Sequence, residues 1–179
     1  SEDPVFTLSI HPSHISGASN LHQWKDVIDR SSKNKTLLET LKVNKASDVL
    51  AFFKLLISFA QTMFVISGIP SFDTPKIKSV TIEKDVHKLN FSLHSLSYVS
   101  AVNIKLAFKE VQKIFLIMLT QPFSFSLQEK IFSEIDKNII KVLGRRNSFG
   151  KSTVKILSKA EELDIPYTFL GNGIFQLGW

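Results

Sequence analysis

An α+β fold is what this sequence predicts: several helices packed on a small antiparallel sheet, with a C-terminal helix plus β-hairpin. Three observations lead there. Residues 47–67, 99–119 and 126–143 repeat apolar side chains every three or four positions, the period of an amphipathic helix. Residues 89–94 alternate apolar and polar, the period of a half-buried strand. Residues 148–179 run as a helical pattern, a break at Pro166 and two short apolar segments joined at Asn172-Gly173, a dipeptide typical of tight hairpins.

Taken in order, residues 1–20 are polar and punctuated by Pro4, Pro12 and Gly17, and read as an extended lead or loop. Short helices are expected at 21–31, with Trp24, Val27 and Ile28 on one side, and at 36–43. The strongest element is 47–67, with Ser47 as its N-cap, Gly68 at its C-terminal side and Pro70 beyond. Between Val49 and Ile66 its only charge is Lys54, and about 18 apolar residues is the lower limit for a membrane span. Lys54, Ser58, Gln61 and Thr62 nevertheless share one polar stripe, as on the nearly buried helix of a globular core. No membrane crossing is therefore expected.

Strands follow at 76–82 and 86–98 around a Glu83-Lys84-Asp85 turn. A long helix at 99–119 places Ala101, Ile104, Phe108, Val111, Phe115 and Met118 inward. Pro122 stops it, and a helix at 126–143 turns Ile131, Ile135, Ile139 and Val142 inward. A domain boundary is expected near 144–150, dividing an accessory domain at 1–147 from a helix and hairpin at 148–179. The second strand has barely begun at Trp179, so the sequence reads as the front of a longer protein.

With 179 residues, 44% hydrophobic and 21% charged, the chain has material for a real core and is not compositionally disordered. Fifteen Phe against two Tyr and two Trp favour core packing over a binding platform, since Phe lacks a polar group. The absence of Cys removes disulfides, thiol nucleophiles and thiolate metal sites, and favours a reducing, cytoplasmic location. A net charge of +6 fits anionic partners, but the 22 basic residues are scattered, unlike the clustered footprint of a nucleic-acid binder. The one cluster is Lys141, Arg145, Arg146, Lys151 and Lys155.

Catalytic and metal motifs fail on spacing or company. Gly144 and Gly150-Lys151-Ser152 approach a phosphate-binding P-loop, but five residues separate the glycines where four are required. A Gly hinge followed by a Ser or Thr helix cap explains the segment better. Ser148 and Lys151 form Ser-x-x-Lys without its companion motifs. His11, His14 and His22 lack an acidic partner for a metal, and His87 and His94 fall on opposite faces of a strand. Glu161 and Glu162 are adjacent on a helix and point apart.

Ser152-Thr153, Ile156, Ala160, Ile165-Pro166, Leu170, Gly173 and Gln176-Leu177-Gly178 resemble the stretch leading into the ATP-grasp domain of cyanophycin synthetases and related amide ligases. The likeness covers 148–179 and weakens upstream. Gly150-Lys151 stands where family members often have Gly-Pro before the Ser-Thr. Their Gly-His and Glu-His signature is missing from 52–61.

The resemblance implies a non-catalytic N-terminal domain, holding substrate or supporting assembly, of a ligase that joins a carboxylate to an amine. ATP and Mg²⁺ are implied for the parent enzyme and none in this chain. The implied partners are an acidic peptide or amino-acid substrate, the downstream ATP-grasp domain and further copies in a homo-oligomer. Arg145, Arg146, Lys151, Ser152 and Lys155 are the residues expected to meet an anionic substrate. The alternative is a stand-alone basic module for an anionic partner or membrane surface.

Overall fold

The computed structural model describes residues 3–24, 46–94, 99–147 and 149–178. The expected helix at 36–43 and most of that at 21–31 lie outside them. The architecture is α+β, and its first element corrects the expected N-terminal loop. Strand β1 (Val5–Ile10) pairs antiparallel with β3 (Val86–Ser92), which also pairs with β2 (Lys76–Glu83), giving the order β1-β3-β2. Phe6 and Leu8 face the core while Val5 and Thr7 face out, so the period-two signal was present, masked by flanking prolines. Those prolines are compatible with the strand because Pro4 precedes it and Pro12 opens helix α1 (Pro12–Ser16), where a missing N–H costs little. On the outer sheet face, the Thr7 hydroxyl donates to Asn90 Oδ1 at 2.6 Å, and Asn90 Nδ2 donates to Ser79 Oγ at 2.9 Å.

The β2–β3 turn is the expected one. Lys84 and Asp85 both have positive φ, 49° and 64°, as a two-residue hairpin turn matching strand twist requires. Strand β3 is shorter than expected, ending at Ser92, so His94 lies past the sheet. There its Nδ1 meets Asp3 Oδ1 at 2.7 Å.

Helix α2 (Ala46–Ile66) begins before Ser47, which is thus a helical residue and not its N-cap. Its C-terminus is as expected. Gly68, at φ 88°, lets its own N–H reach Val65 O (3.0 Å) and lets Ile69 N–H reach Phe64 O (2.8 Å), closing the last carbonyls. Phe52, Phe53, Leu55, Leu56, Phe59, Met63 and Phe64 of α2 are buried in the protein's own core.

Helix α3 (Ala101–Thr120) lies against α2 and the sheet, with Ala101 exposed and the other five expected positions buried. Phe108 sits between the layers, its ring 6.0 Å from Phe6, 5.5 Å from Phe91 and 5.6 Å from Phe64. Residues Gly17–Trp24 form a 3₁₀ segment that serves the α3 C-terminus: Asn20 Nδ2 donates to Leu119 O at 2.6 Å.

Helix α4 (Phe125–Glu134) starts at a Ser124 cap, whose hydroxyl accepts from Leu127 N–H at 3.1 Å. It runs through a π-helical turn (Ile135–Ile140) into α5 (Lys141–Asn147). Spacing explains that turn. Ile131, Ile135, Ile139 and Leu143 are all buried at intervals of four, and in a pure α-helix such a row drifts about 40° per step. The wider turn cancels part of the drift and keeps the row on the core. It also puts Leu143 inward in place of Val142, which is only half-buried.

Helix α6 (Lys151–Glu162), β4 (Tyr167–Gly171) and β5 (Ile174–Leu177) form the expected C-terminal unit. The N-cap of α6 is Gly150 and not a hydroxyl residue; Ser152 and Thr153 sit inside its first turn. At the other end Asp164 takes φ 52°, and Ile165 N–H bonds Ala160 O at 2.8 Å before Pro166 ends the helix. Asn172 and Gly173 turn the hairpin with φ 50° and 76°. Leu157 and Ala160 are buried outside the main core, and the rings of Phe149, Phe169 and Phe175 meet edge-on or tilted with centroids 5.0 to 5.8 Å apart. Phe149 N–H bonds Gly68 O at 3.0 Å, tying the unit to the end of α2.

Candidate functional site

The polar stripe of α2 faces a cavity of about 400 Å³. Lys54, Ser58, Gln61 and Thr62 form one wall; Ser71, Asp73 and Thr74, with Phe72 and Pro75, form the other, on the segment leading to β2. Gln61 fastens the two walls together. Its Nε2 donates to Asp73 O at 2.8 Å and to Ser71 Oγ at 3.3 Å, so both amide hydrogens serve the loop. Thr62 Oγ1 donates to Ser58 O at 3.1 Å, a bond to its own preceding turn. Lys54 is exposed and forms no ion pair among the described residues.

Asp73 also acts beyond the cavity. Tyr167, half-buried at the start of β4, has its phenol pushed well above the ordinary tyrosine range. Burial is the main cause, followed by the negative charges of Glu161 and Asp73 and a hydrogen bond to Glu161. The cavity loop and the C-terminal unit therefore share an electrostatic environment.

The basic cluster is less convergent than its sequence implies. Lys141 is engaged with Asp136 at 2.5 Å. Arg145 is exposed on α5, and Arg146 lies on the same helix with its side chain outside the described residues. Lys151 and Lys155 are exposed one turn apart on the first half of α6, on one face, with Ser152 between them and also exposed. Among the described residues, Arg145, Lys151 and Lys155 form no ion pair, which leaves their charge available to an anion.

His11 and His14 have ring centroids 6.0 Å apart, and among the described residues no group of three or more His, Cys, Asp or Glu side chains is placed to hold a metal ion. The α2–loop cavity was not expected from sequence. Its one-sided signal was the polar stripe, which by itself marks any nearly buried helix; the opposing wall is visible only once the loop folds back.

No model of a known protein family matches this chain, and no curated protein matches it either.

Proposed function

We propose that this chain is a non-catalytic N-terminal domain of an ATP-dependent carboxylate–amine ligase similar to cyanophycin synthetase, holding substrate or supporting assembly. The observation that supports this reading is the exposed apolar surface of the C-terminal unit, the part whose sequence carries the resemblance. Ile156, Leu163, Leu170, Ile174 and Leu177 are between 45% and 60% exposed there. A two-stranded hairpin is marginal alone, and such a surface suits packing by a further domain. In that arrangement ATP and Mg²⁺ belong to the ATP-grasp region, and Arg145, Arg146, Lys151 and Lys155 contact an acidic peptide.

Two measurements test it. The coding region beyond Trp179 should encode an ATP-grasp domain, and the full-length product should release ADP only with both a carboxylate and an amine substrate present. In that enzyme, replacing Arg145 and Arg146 by Gln removes two charge contacts to the peptide, each worth about 0.2–1 kcal/mol as a surface pair, so acidic-peptide affinity should fall about 2- to 30-fold. Undiminished affinity at low salt overturns the assignment of the cluster. A stop codon after Trp179 overturns the ligase reading, leaving the stand-alone basic module.

A further inference from the structure

We propose that the free edge of β1, with the groove between it and α3, binds an extended acidic segment of a partner protein, which adds a strand to the sheet and sets carboxylates at alternate positions against Lys105 and Lys109. The inference is independent of the ligase reading, whose acidic substrate belongs to the Arg145 cluster.

The two outer strands of the sheet differ in how their edges are defended. In the order β1-β3-β2 each has one side without a strand partner, and an open edge invites pairing with another chain unless charge, proline or a bulge prevents it. Strand β2 has two of these devices: its register shifts between Ile77 and Ser79, and Lys76 and Lys78 lie at that end. Strand β1 has none. It pairs with β3 without interruption from Val5 to Ile10, and no charged residue or proline lies within it. Its outward backbone groups can be assigned. Gln112 Nε2 donates to Ser9 O at 3.3 Å, so that carbonyl points away from β3, and the alternation of an antiparallel ladder turns the N–H and C=O of Val5 and Thr7 the same way. Gln112 thus closes one end of the edge and leaves the stretch from Val5 to Leu8 open.

What lies beside that stretch selects the occupant. A groove of about 270 Å³ separates it from α3, whose Lys105, Phe108, Lys109 and Gln112 form the far wall. Helix and strand run side by side in the same direction, since the Phe108 ring lies 6.0 Å from that of Phe6 and Gln112 reaches Ser9. Lys105 and Lys109 are exposed and form no ion pair among the described residues, while Glu110 beside them is turned to Lys113 at 3.7 Å. Four helical residues set the two cations about 6 Å apart along the groove, and alternate residues of a strand are spaced about 6.8 Å. An added strand with Asp or Glu at every second position therefore meets both lysines on the face it turns to α3, while its backbone bonds Val5 and Thr7. A small anion uses the lysines but none of the edge groups. A second copy of the chain uses the edge but sets Lys105 and Lys109 against their own counterparts, which repel.

The test is an NMR titration of the chain with an eight-residue peptide alternating Thr and Glu. The peptide should shift the backbone amides of Val5, Thr7 and Ser9. Replacing its Glu by Gln, or combining Lys105→Glu with Lys109→Glu in the chain, should weaken binding about tenfold or more, the scale of a lost charged hydrogen bond. Both lysines are exposed, so the double variant should fold as the native chain does. Methylating alternate peptide nitrogens should abolish binding in one phase and spare it in the other, as strand addition requires. The proposal is overturned if the β1 amides do not shift, if the shifts gather instead around Arg145, Lys151 and Lys155, if both methylated phases bind like the parent peptide, or if the folded double variant binds undiminished. It is also overturned if the same β1 amides report self-association that the peptide does not displace, which makes the occupant a second copy.

Discussion

Replacing Gln61 by Met isolates what holds the cavity wall. Met keeps the length of the side chain and nearly the same helix propensity, so α2 itself should be undisturbed. What disappears is the 2.8 Å bond to Asp73 O and the 3.3 Å bond to Ser71 Oγ. The first has good geometry and contributes about 0.5–1.5 kcal/mol net; the second is long and adds little. Because the cavity admits water, the abandoned carbonyl at Asp73 can be rehydrated, so the larger penalty for a sealed, unsatisfied group does not apply. The expected cost is therefore about 1 kcal/mol, felt mainly as easier opening of the 71–75 segment. Hydrogen exchange of the Ser71 to Thr74 amides should accelerate about fivefold, the factor that 1 kcal/mol corresponds to at room temperature, while the amides of β3 exchange as before. Urea denaturation should show a loss no greater than about 1.5 kcal/mol with an unchanged slope. If loop exchange is unaffected, Gln61 does not hold the loop and the claim of a preformed cavity falls.

Phe115→Ala should cost about 3–5 kcal/mol in the same urea experiment, because the ring is buried against Phe59 (5.1 Å) and Phe52 (5.9 Å) and its removal leaves a cavity in the core; a loss under about 1 kcal/mol would contradict that packing. Asp3 supplies a pH-dependent term. Its carboxyl is held below the ordinary range, chiefly by the hydrogen bond with His94 and also by Lys76, partly opposed by desolvation. A depressed folded-state value means stability that is present above the unfolded-state pKa and lost as pH falls through the folded one. Asp3→Asn should thus be less stable than the native chain at neutral pH, with the gap closing in acid, as read from urea midpoints; a gap independent of pH would refute a stabilising role for the Asp3 carboxylate beside His94 and Lys76.

Periodicity made most elements legible. The long helices, the β2–β3 hairpin and the closing helix and hairpin all follow from local spacing, turn residues and Pro or Gly punctuation. Strand β1 was hidden because two prolines outweighed a short alternation whose partner, β3, lies some 80 residues on; Phe6 opposite Phe91 is a pairing no local window contains. The π-helical turn was equally invisible, since it answers a demand of the core for Ile131, Ile135, Ile139 and Leu143 together. Gly150 is the cap because the extended backbone ends there, at φ −58° and ψ 146°, so that Ser152 and Thr153 fall inside the first turn, and no side chain caps α6.

By itself the sequence determined the fold class, the burial of the Phe-rich core, the polar stripe on α2 and the resemblance of residues 148–179, because each rests on spacing within one segment. Tertiary structure alone decided that the stripe faces a cavity. Lys54 and Asp73 belong to different elements, and the loop carrying Asp73 is brought back over α2 by the turn at Gly68 and the grip of Gln61. Apposition of that kind depends on chain reversal and packing, which no periodicity within either segment encodes.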